Sequence, residues 1–317
     1  MKPVKICFIS LNSYPLFNKN SLDYFGGAEV QISLITQALA KDKHFAVSLI
    51  TGNYGQPPIF TRGRLKIYKT RLWDFLKILK TVNADIFVER TINPKVFLVG
   101  WWCRLFKKKF VYMAAHDWDC SYSGLKLAHL IFTQHQQQSA ALKKNLNLSS
   151  IMMPPLVKIG PAQKPLERKY ILWVGRADDW KRPLDFINLV RRNPQEKFVM
   201  ICRPGKVKLK INLPNLIFIP AVPATKILDY FRQAKIFVNT SNAEGFPNTF
   251  LQAGAAKTPV LSFRVNPDNY LNKYHCGQVG QKLFQPGKDM GQNHYRYVKK
   301  YHGLKNLEIF KQTLCRL

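Results

Sequence analysis

Acidic residues are scarce in this chain. Its 317 residues hold 18 Asp and Glu against 49 Lys and Arg, a formal net charge of +31. That balance excludes an acidic disordered protein and predicts attraction to anions; nucleic acid, anionic lipid and nucleotide phosphate all fit. The excess is not a tail, because 22 basic and 8 acidic residues lie up to residue 160, and 27 and 10 after it. Long apolar runs are also lacking. The longest, Val96 to Phe106, is interrupted by Arg104 and falls far short of the ~20 residues of a membrane-spanning helix. The apolar run at the N-terminus is too short for a secretory signal, so the expected compartment is the cytoplasm. Six cysteines, at positions 7, 103, 120, 202, 276 and 315, form no C-x-x-C pair and no zinc spacing. Reduced thiols and no metal site follow. Repeats and low-complexity segments are absent as well.

What is present is alternation. Short apolar runs of strand type (Val4–Ser10, Ala46–Thr51, Leu65–Lys69, Asp85–Glu89, Phe110–Ala115, Leu130–Gln134) are separated by helical patterns near 28–41, 71–83, 95–107 and 136–145. In Ala28–Lys41, residues Val30, Leu34, Ile35, Ala38 and Leu39 make one apolar stripe at helical spacing. Runs such as ICFIS are apolar on both faces, as buried parallel strands are. Prolines 154, 155, 161 and 165 then interrupt the pattern, and 152–168 reads as a linker. The alternation restarts with strands at Tyr170–Gly175, Lys197–Cys202, Leu216–Val222, Ile236–Ser241 and Pro259–Phe263. Helices are expected near 183–192, 225–234 and 247–257, with a helical tail over 288–316. The expectation is an α/β chain of two facing, doubly wound, Rossmann-like domains with a cleft between them. The first spans 1–155 and the second, shorter than usual, spans 156–317.

Three segments carry chemistry. Gly26-Gly27-Ala28-Glu29 opens a helix after a strand and a loop; its glycines allow close backbone approach, and helix N-termini favour anions. The same string also reads as an ordinary loop, with Glu29 complementing the helix dipole. Trp173-Val174-Gly175-Arg176 ends a strand, and Lys181-Arg182-Pro183 begins the next helix. Cations there sit at the carboxyl end of a parallel strand, where such sheets take ligands. Solvated surface charge is the bland alternative. The third segment, Glu244-Gly-Phe-Pro-Asn-Thr-Phe-Leu-Gln252, joins a carboxylate, a run of backbone amides at a helix start and a second polar side chain. Together these can grip a sugar nucleotide, which helix capping by Glu244 alone does not explain.

In order and spacing, GGAE, VGR–KRP and SNAEGFPNTFLQAGA…TPVLSFRVNPD resemble the family 4 retaining glycosyltransferases of the GT-B fold, the glycosyl transferases group 1. The resemblance covers essentially the whole chain, including a tail from Met290 that is similar to the family's closing helices. It implies transfer of a sugar from a nucleotide-sugar to a hydroxyl of a glycan, lipid-linked or polysaccharide-precursor acceptor, in a hexosyltransferase-like reaction. It implies that Arg176 and Lys181 bind the donor diphosphate and stabilise it as it leaves. Glu244 takes the position of the first carboxylate of the family's Glu-x7-Glu motif, which contacts the donor sugar. Gln252 takes the second position, usually a ribose-binding Glu. The amides of Phe246, Asn248 and Thr249 match those that grip sugar and phosphate, and Gly26 and Gly27 match the loop facing the diphosphate. His116 matches the first-domain histidine near the transferred sugar. Asp117-Trp118-Asp119 imitates a metal-binding Asp-x-Asp, but in GT-B enzymes cations do that work. No metal and no cofactor are therefore implied, and these two aspartates are expected in structural or acceptor-side roles.

Phe97–Lys109 (FLVGWWCRLFKKK) mixes aromatic and aliphatic residues with four cations. It reads either as a core helix with a solvated basic end or as an amphipathic surface that docks on anionic lipid. The overall charge leans toward membrane contact, which would place the protein peripherally on the inner face of a membrane. Two other functions remain as alternatives. One is a degenerate GT-B protein that binds nucleotide-sugar without transfer. The other is a basic nucleic-acid-binding protein, for which no helix-turn-helix, zinc-finger or RNA-recognition signature is present; no specific nucleic acid is expected.

Overall fold

The computed structural model describes residues 2–18, 21, 23, 25–160 and 166–317. Residues 161–165, in the middle of the expected linker, lie outside the described residues. The chain divides into two units, Met1–Leu156 with Lys305–Leu317, and Val157–Leu304. The last thirteen residues thus pack with the first unit, whereas the sequence pattern assigned them to the second.

In the first unit, β1 (Val4–Ile9), β2 (Phe45–Thr51), β3 (Ile59–Arg62), β4 (Leu65–Lys69), β5 (Ile86–Glu89), β6 (Lys109–Met113), β7 (Leu130–Thr133) and β8 (Ile151–Met152) form one sheet. Its order is β3-β4-β2-β1-β5-β6-β7-β8. All neighbours are parallel except β3 with β4. Alternation along β1 sends Ile6 and Phe8 to one face and Cys7 and Ile9 to the other. Helix α1 (Gly27–Leu39) covers the first face. Helices α2 (Phe75–Val82), α3 (Lys95–Leu105) and α4 (Gln136–Leu146) cover the second. Gln31 of α1 fixes the end of the unit, because its amide both donates to Leu156 O and accepts from Leu156 N at 2.7 Å.

The second unit carries a sheet of order β11-β10-β9-β12-β13-β14. These are β9 (Tyr170–Arg176), β10 (Phe198–Arg203), β11 (Leu216–Ile219), β12 (Ala234–Asn239), β13 (Val260–Ser262) and β14 (Gly277–Val279), all parallel. Helix α5 (Pro183–Arg191) packs on one face, with Pro183 in its first turn. Helices α6 (Ile227–Gln233), α7 (Asn248–Ala255), α8 (Tyr270–Lys273) and α9 (Met290–Tyr301) gather on the other. A Cβ on Gly254 of α7 would lie 2.4 Å from Val298 of α9. Only a glycine lets these two helices approach so closely, and that contact sets the position of α7. The expected helical tail is two helices: α9, and α10 (Leu307–Leu314) after a break at 302–306. Short β3, β8, β14 and α8 were not foreseen. They span two to four residues, too few for a period to show.

Candidate functional site

Ligands of open parallel sheets bind beyond the carboxyl ends of the strands, where the strand order reverses direction. In the second unit the reversal falls between β9 and β12: the chain leaves β9 toward β10 and β11, then returns to the other side of β9. Strand β9 ends at Arg176 and β12 ends at Asn239, so both expected segments emerge there.

Arg176, about one-third exposed, donates its guanidinium to the buried Asp178 carboxylate. Lys181 donates Nζ to Oε1 of Glu244, whose side chain is 6% exposed. Ser241 Oγ donates to the same Glu244 oxygen at 2.8 Å. Lys181 also lies 4.1 Å from the centroid of the Trp180 ring. The turn carrying Lys181 is pinned from the core. Trp173 Nε1 donates to Thr240 Oγ1 at 2.9 Å, and Thr240 Oγ1 donates to Lys181 O at 2.7 Å. Asn242 N donates to Trp180 O at 2.8 Å. Two loops far apart in sequence therefore form one unit, and the structure brings the expected Lys181 and Glu244 into direct contact.

The remaining second-unit residues lie just before α7 or within it. Phe246 is buried, with its ring 5.2 Å from Tyr270 and 4.5 Å from His302; its side chain belongs to the core, so only its backbone can serve a ligand. Pro247 precedes the first turn of α7, which begins with half-buried Asn248 and Thr249. Gln252, also half-buried, is the fifth residue of the helix.

Gly26, Gly27 and His116 lie in the first unit. Gly26 caps α1 in extended conformation and Gly27 begins it. Glu29 reaches back, its Oε2 accepting from Gly26 N at 2.8 Å. His116 precedes a short turn at Asp117–Ser121, its ring stacked on Trp118 at 4.4 Å. The two aspartates have separate duties. Asp119, buried, accepts from Ala115 N (2.7 Å), His116 N (3.2 Å) and Tyr112 Oη (3.2 Å). Burial raises its carboxyl to about 6 against those bonds. Asp117 meets His135 Nε2 at 3.1 Å and accepts from Gln138 Nε2 at 3.3 Å. Among the described residues, no cluster of three or more His, Cys, Asp or Glu could hold a metal ion.

Sequence reasoning passed over Asp178, the carboxylate that Arg176 touches, although its place two residues after a strand-end arginine was readable. It also passed over Glu89 and Arg90 at the end of β5. Both are buried, and Glu89 Oε1 and Arg90 Nε have no hydrogen-bond partner. Desolvation pushes the Glu89 carboxyl up to about 8 and lowers Arg90 to about 10.

Residues 168–288 match the family model of the glycosyl transferases group 1. That segment runs from just before β9 past β14, so it contains Arg176, Lys181, Glu244, Phe246, Asn248, Thr249 and Gln252. It does not contain Gly26, Gly27 or His116. Among curated proteins none matches the chain. Among solved structures, a sucrose-phosphate synthase from Thermosynechococcus elongatus aligns with TM-score 0.78 at 14% identity, over 99% of this chain and 98% of that one. The Anabaena protein HepE, in complex with UDP and glucose, aligns at 0.71 and 12% over 99% and 100%. A UDP-forming α,α-trehalose-phosphate synthase from Burkholderia vietnamiensis aligns at 0.68 and 10% over 99% and 100%. The chain has the GT-B fold of these proteins, and most of its second unit matches the glycosyl transferases group 1 model. No helix among the described residues is long and apolar enough to cross a membrane.

Proposed function

We propose that the chain transfers a sugar from a nucleotide-sugar to an acceptor hydroxyl, retaining the configuration at the anomeric carbon. The observation that carries this reading is the Lys181–Glu244 pair, with Arg176 at the end of β9, at the reversal point of a sheet that matches the group 1 family. The reaction needs positive charge on the departing diphosphate and negative potential beside the oxocarbenium-like carbon. Arg176 offers a planar fork and Lys181 a point charge for the first need. Glu244, fixed by Lys181 and Ser241, serves the second and accepts from sugar hydroxyls. That carboxylate is already engaged, so attack of the acceptor on the face the diphosphate leaves accounts for retention better than a covalent intermediate. In this reading the first-turn amides of α7 face the donor and Gln252 bonds the ribose, while Gly26, Gly27 and His116 of the first unit keep the roles that the family resemblance implies. Two cations replace a divalent metal. The complexes of HepE with UDP and glucose make UDP-sugars the first donors to test.

The experiment is a thermal-shift screen with UDP-, GDP- and ADP-sugars, followed by turnover of the best donor. A folded Arg176→Ala/Lys181→Ala variant should lose the shift and the turnover; near-normal turnover would refute the assignment. Glu244→Ala should act mainly on kcat and Gln252→Ala mainly on donor KM. EDTA should leave turnover unchanged.

A second observation concerns where the enzyme works. On the same side of the first unit's sheet, the turn before α2 exposes Leu72 and Trp73, α2 exposes Leu76, and α3 exposes Phe97, Trp101 and Leu105. Arg71, Lys77, Lys80 and Arg104 lie among them, against one acidic residue, Asp74 at the start of α2. Apolar and cationic groups on one face suit an anionic lipid surface. We propose that the protein docks there peripherally and meets a lipid-linked or polysaccharide-precursor acceptor.

A further inference from the structure

The first unit has its own reversal point, between β1 and β5. The chain leaves β1 toward β2 and β4 and returns to β5 on the other side. The register sets Glu89 level with Ile9 of β1 and Tyr112 of β6. Arg90 therefore stands just beyond the carboxyl edge of the sheet, where such folds take ligands.

Arg90 is 5% exposed. No side chain among the described residues pairs with its guanidinium, of which Nε is the atom fully buried without a partner. An arginine brings five donors in a rigid fork, and leaving the buried Nε unused costs free energy. Its electrostatic neighbours are the carboxylates of Asp119 and Glu29 and the phenol of Tyr112. None touches it, yet each is held by other bonds: Asp119 by two amides and Tyr112, Glu29 by Gly26 N. The neighbouring Glu89 adds a second buried polar atom without a partner.

This arrangement selects a ligand class. A free anion would pair with the fork but would be repelled by two carboxylates within electrostatic range, Asp119 and Glu29. A vicinal diol accepts the fork through its two oxygens and carries no charge for those carboxylates to repel. We propose that Arg90 is the donor fork that holds a vicinal diol of the acceptor sugar at the reversal point of the first unit's sheet. This rests on the glycosyl-transfer reading and names the chemistry that holds its acceptor. Asp119, within electrostatic range of Arg90, also ties down the amide of His116, so the diol is held near the loop expected to face the transferred sugar. The native protein accepts an unsatisfied buried cation in order to keep the fork open.

The test uses the full chain, without donor, in saturation-transfer NMR against methyl α-glucopyranoside, methyl α-mannopyranoside and methyl β-galactopyranoside. Inorganic phosphate serves as the competing anion. At least one glycoside should show transfer, and phosphate should leave it in place. Arg90→Lys, which keeps the charge but not the fork, should weaken binding about ten-fold or more. Arg90→Met should abolish binding and raise the melting temperature by about 2–4 °C or more, because it removes a buried group whose bonds the ligand alone completes. The proposal is overturned if no glycoside binds, if phosphate displaces the glycoside, or if Arg90→Met binds like the native chain. It is equally overturned if Arg90→Met melts lower than the native chain, since the arginine would then be structural. A UDP-sugar thermal shift on the same samples separates the two readings. If that shift persists while glycoside binding fails, only this inference falls; if the shift itself is absent, the transferase reading falls.

Discussion

Lys181 and Glu244 are 63 residues apart in the chain and end in one ion pair. Removing a single partner of a buried pair leaves an uncompensated charge, which costs about 3 kcal/mol or more. Lys181→Ala should therefore lower the unfolding free energy measured in urea, and Lys181→Met/Glu244→Gln should recover most of it without recovering donor binding. Recovery of both would make the pair a structural device only. Glu89 gives a pH signature. Its carboxyl is raised from 4.5 to about 8 by burial, against the weaker opposing effects of Asn93 and Lys95. Between those values the native state holds a proton that the unfolded chain has lost, so its contribution to stability is full at low pH and falls as pH rises. Glu89→Gln carries no such proton. Its stability relative to the native chain should climb with pH across that window, at up to about 1.4 kcal/mol per unit; a flat difference in urea melts from pH 5 to 8 would contradict the burial. Arg176, Lys181 and Glu244 were legible because strand ends and a distinctive string mark them. Arg90 was not, because no spacing in a sequence reveals that an arginine lacks partners.

Helices and strands were legible where they were long enough to show a period. The interior strands of both sheets lie within about two residues of their sequence positions at most ends, since short apolar runs set between turn signals and helical patterns suit buried parallel strands. Their ends moved because hydrogen-bonding neighbours, not composition, decide where a ladder stops. The tail differs more. Leu307, Phe310 and Leu314 of α10 recur at helical spacing, and this stripe is buried against the first unit's sheet. Phe310 meets Phe8 at 6.0 Å and Phe132 at 5.1 Å between ring centroids. Lys311 pairs with Asp42 at 3.0 Å on the rim. Periodicity predicts the helix but cannot say which sheet it covers. Phe310→Ala should cost about 3–5 kcal/mol as a cavity in a close-packed core. The loss should appear as faster hydrogen exchange at Phe8 and its neighbours in β1, with β9 unaffected. Faster exchange in β9 and none in β1 would place the helix with the other unit.

At the scale of the whole molecule, charge and apolar surface act together. A net charge of +31 draws the protein to any polyanion at low salt, so attraction alone identifies no membrane. The exposed face of α3 supplies the discriminating component. Trp101 is 60% exposed and Leu105 76%, with Arg104 over the Trp101 ring at 5.8 Å, an arrangement that offers lipid both a cation and an insertable ring. Each cation near an anionic bilayer contributes about 1 kcal/mol, and that part is screened by salt. Burial of apolar side chains is not screened, and amounts to about 1.5–3 kcal/mol for a fully buried large one. Co-sedimentation with phosphatidylglycerol-containing vesicles should therefore weaken as salt rises yet level off above zero. Trp101→Ser/Leu105→Ser should remove that residual while leaving low-salt binding largely intact. Arg104→Gln/Lys107→Gln should do the reverse, flattening the salt dependence and sparing part of the residual. Tryptophan fluorescence should shift to the blue on vesicle addition in the native chain, and less in the serine variant. If the serine variant kept the residual and the shift, the helix would be no more than one basic patch among many, and lipid would have no claim on it over nucleic acid.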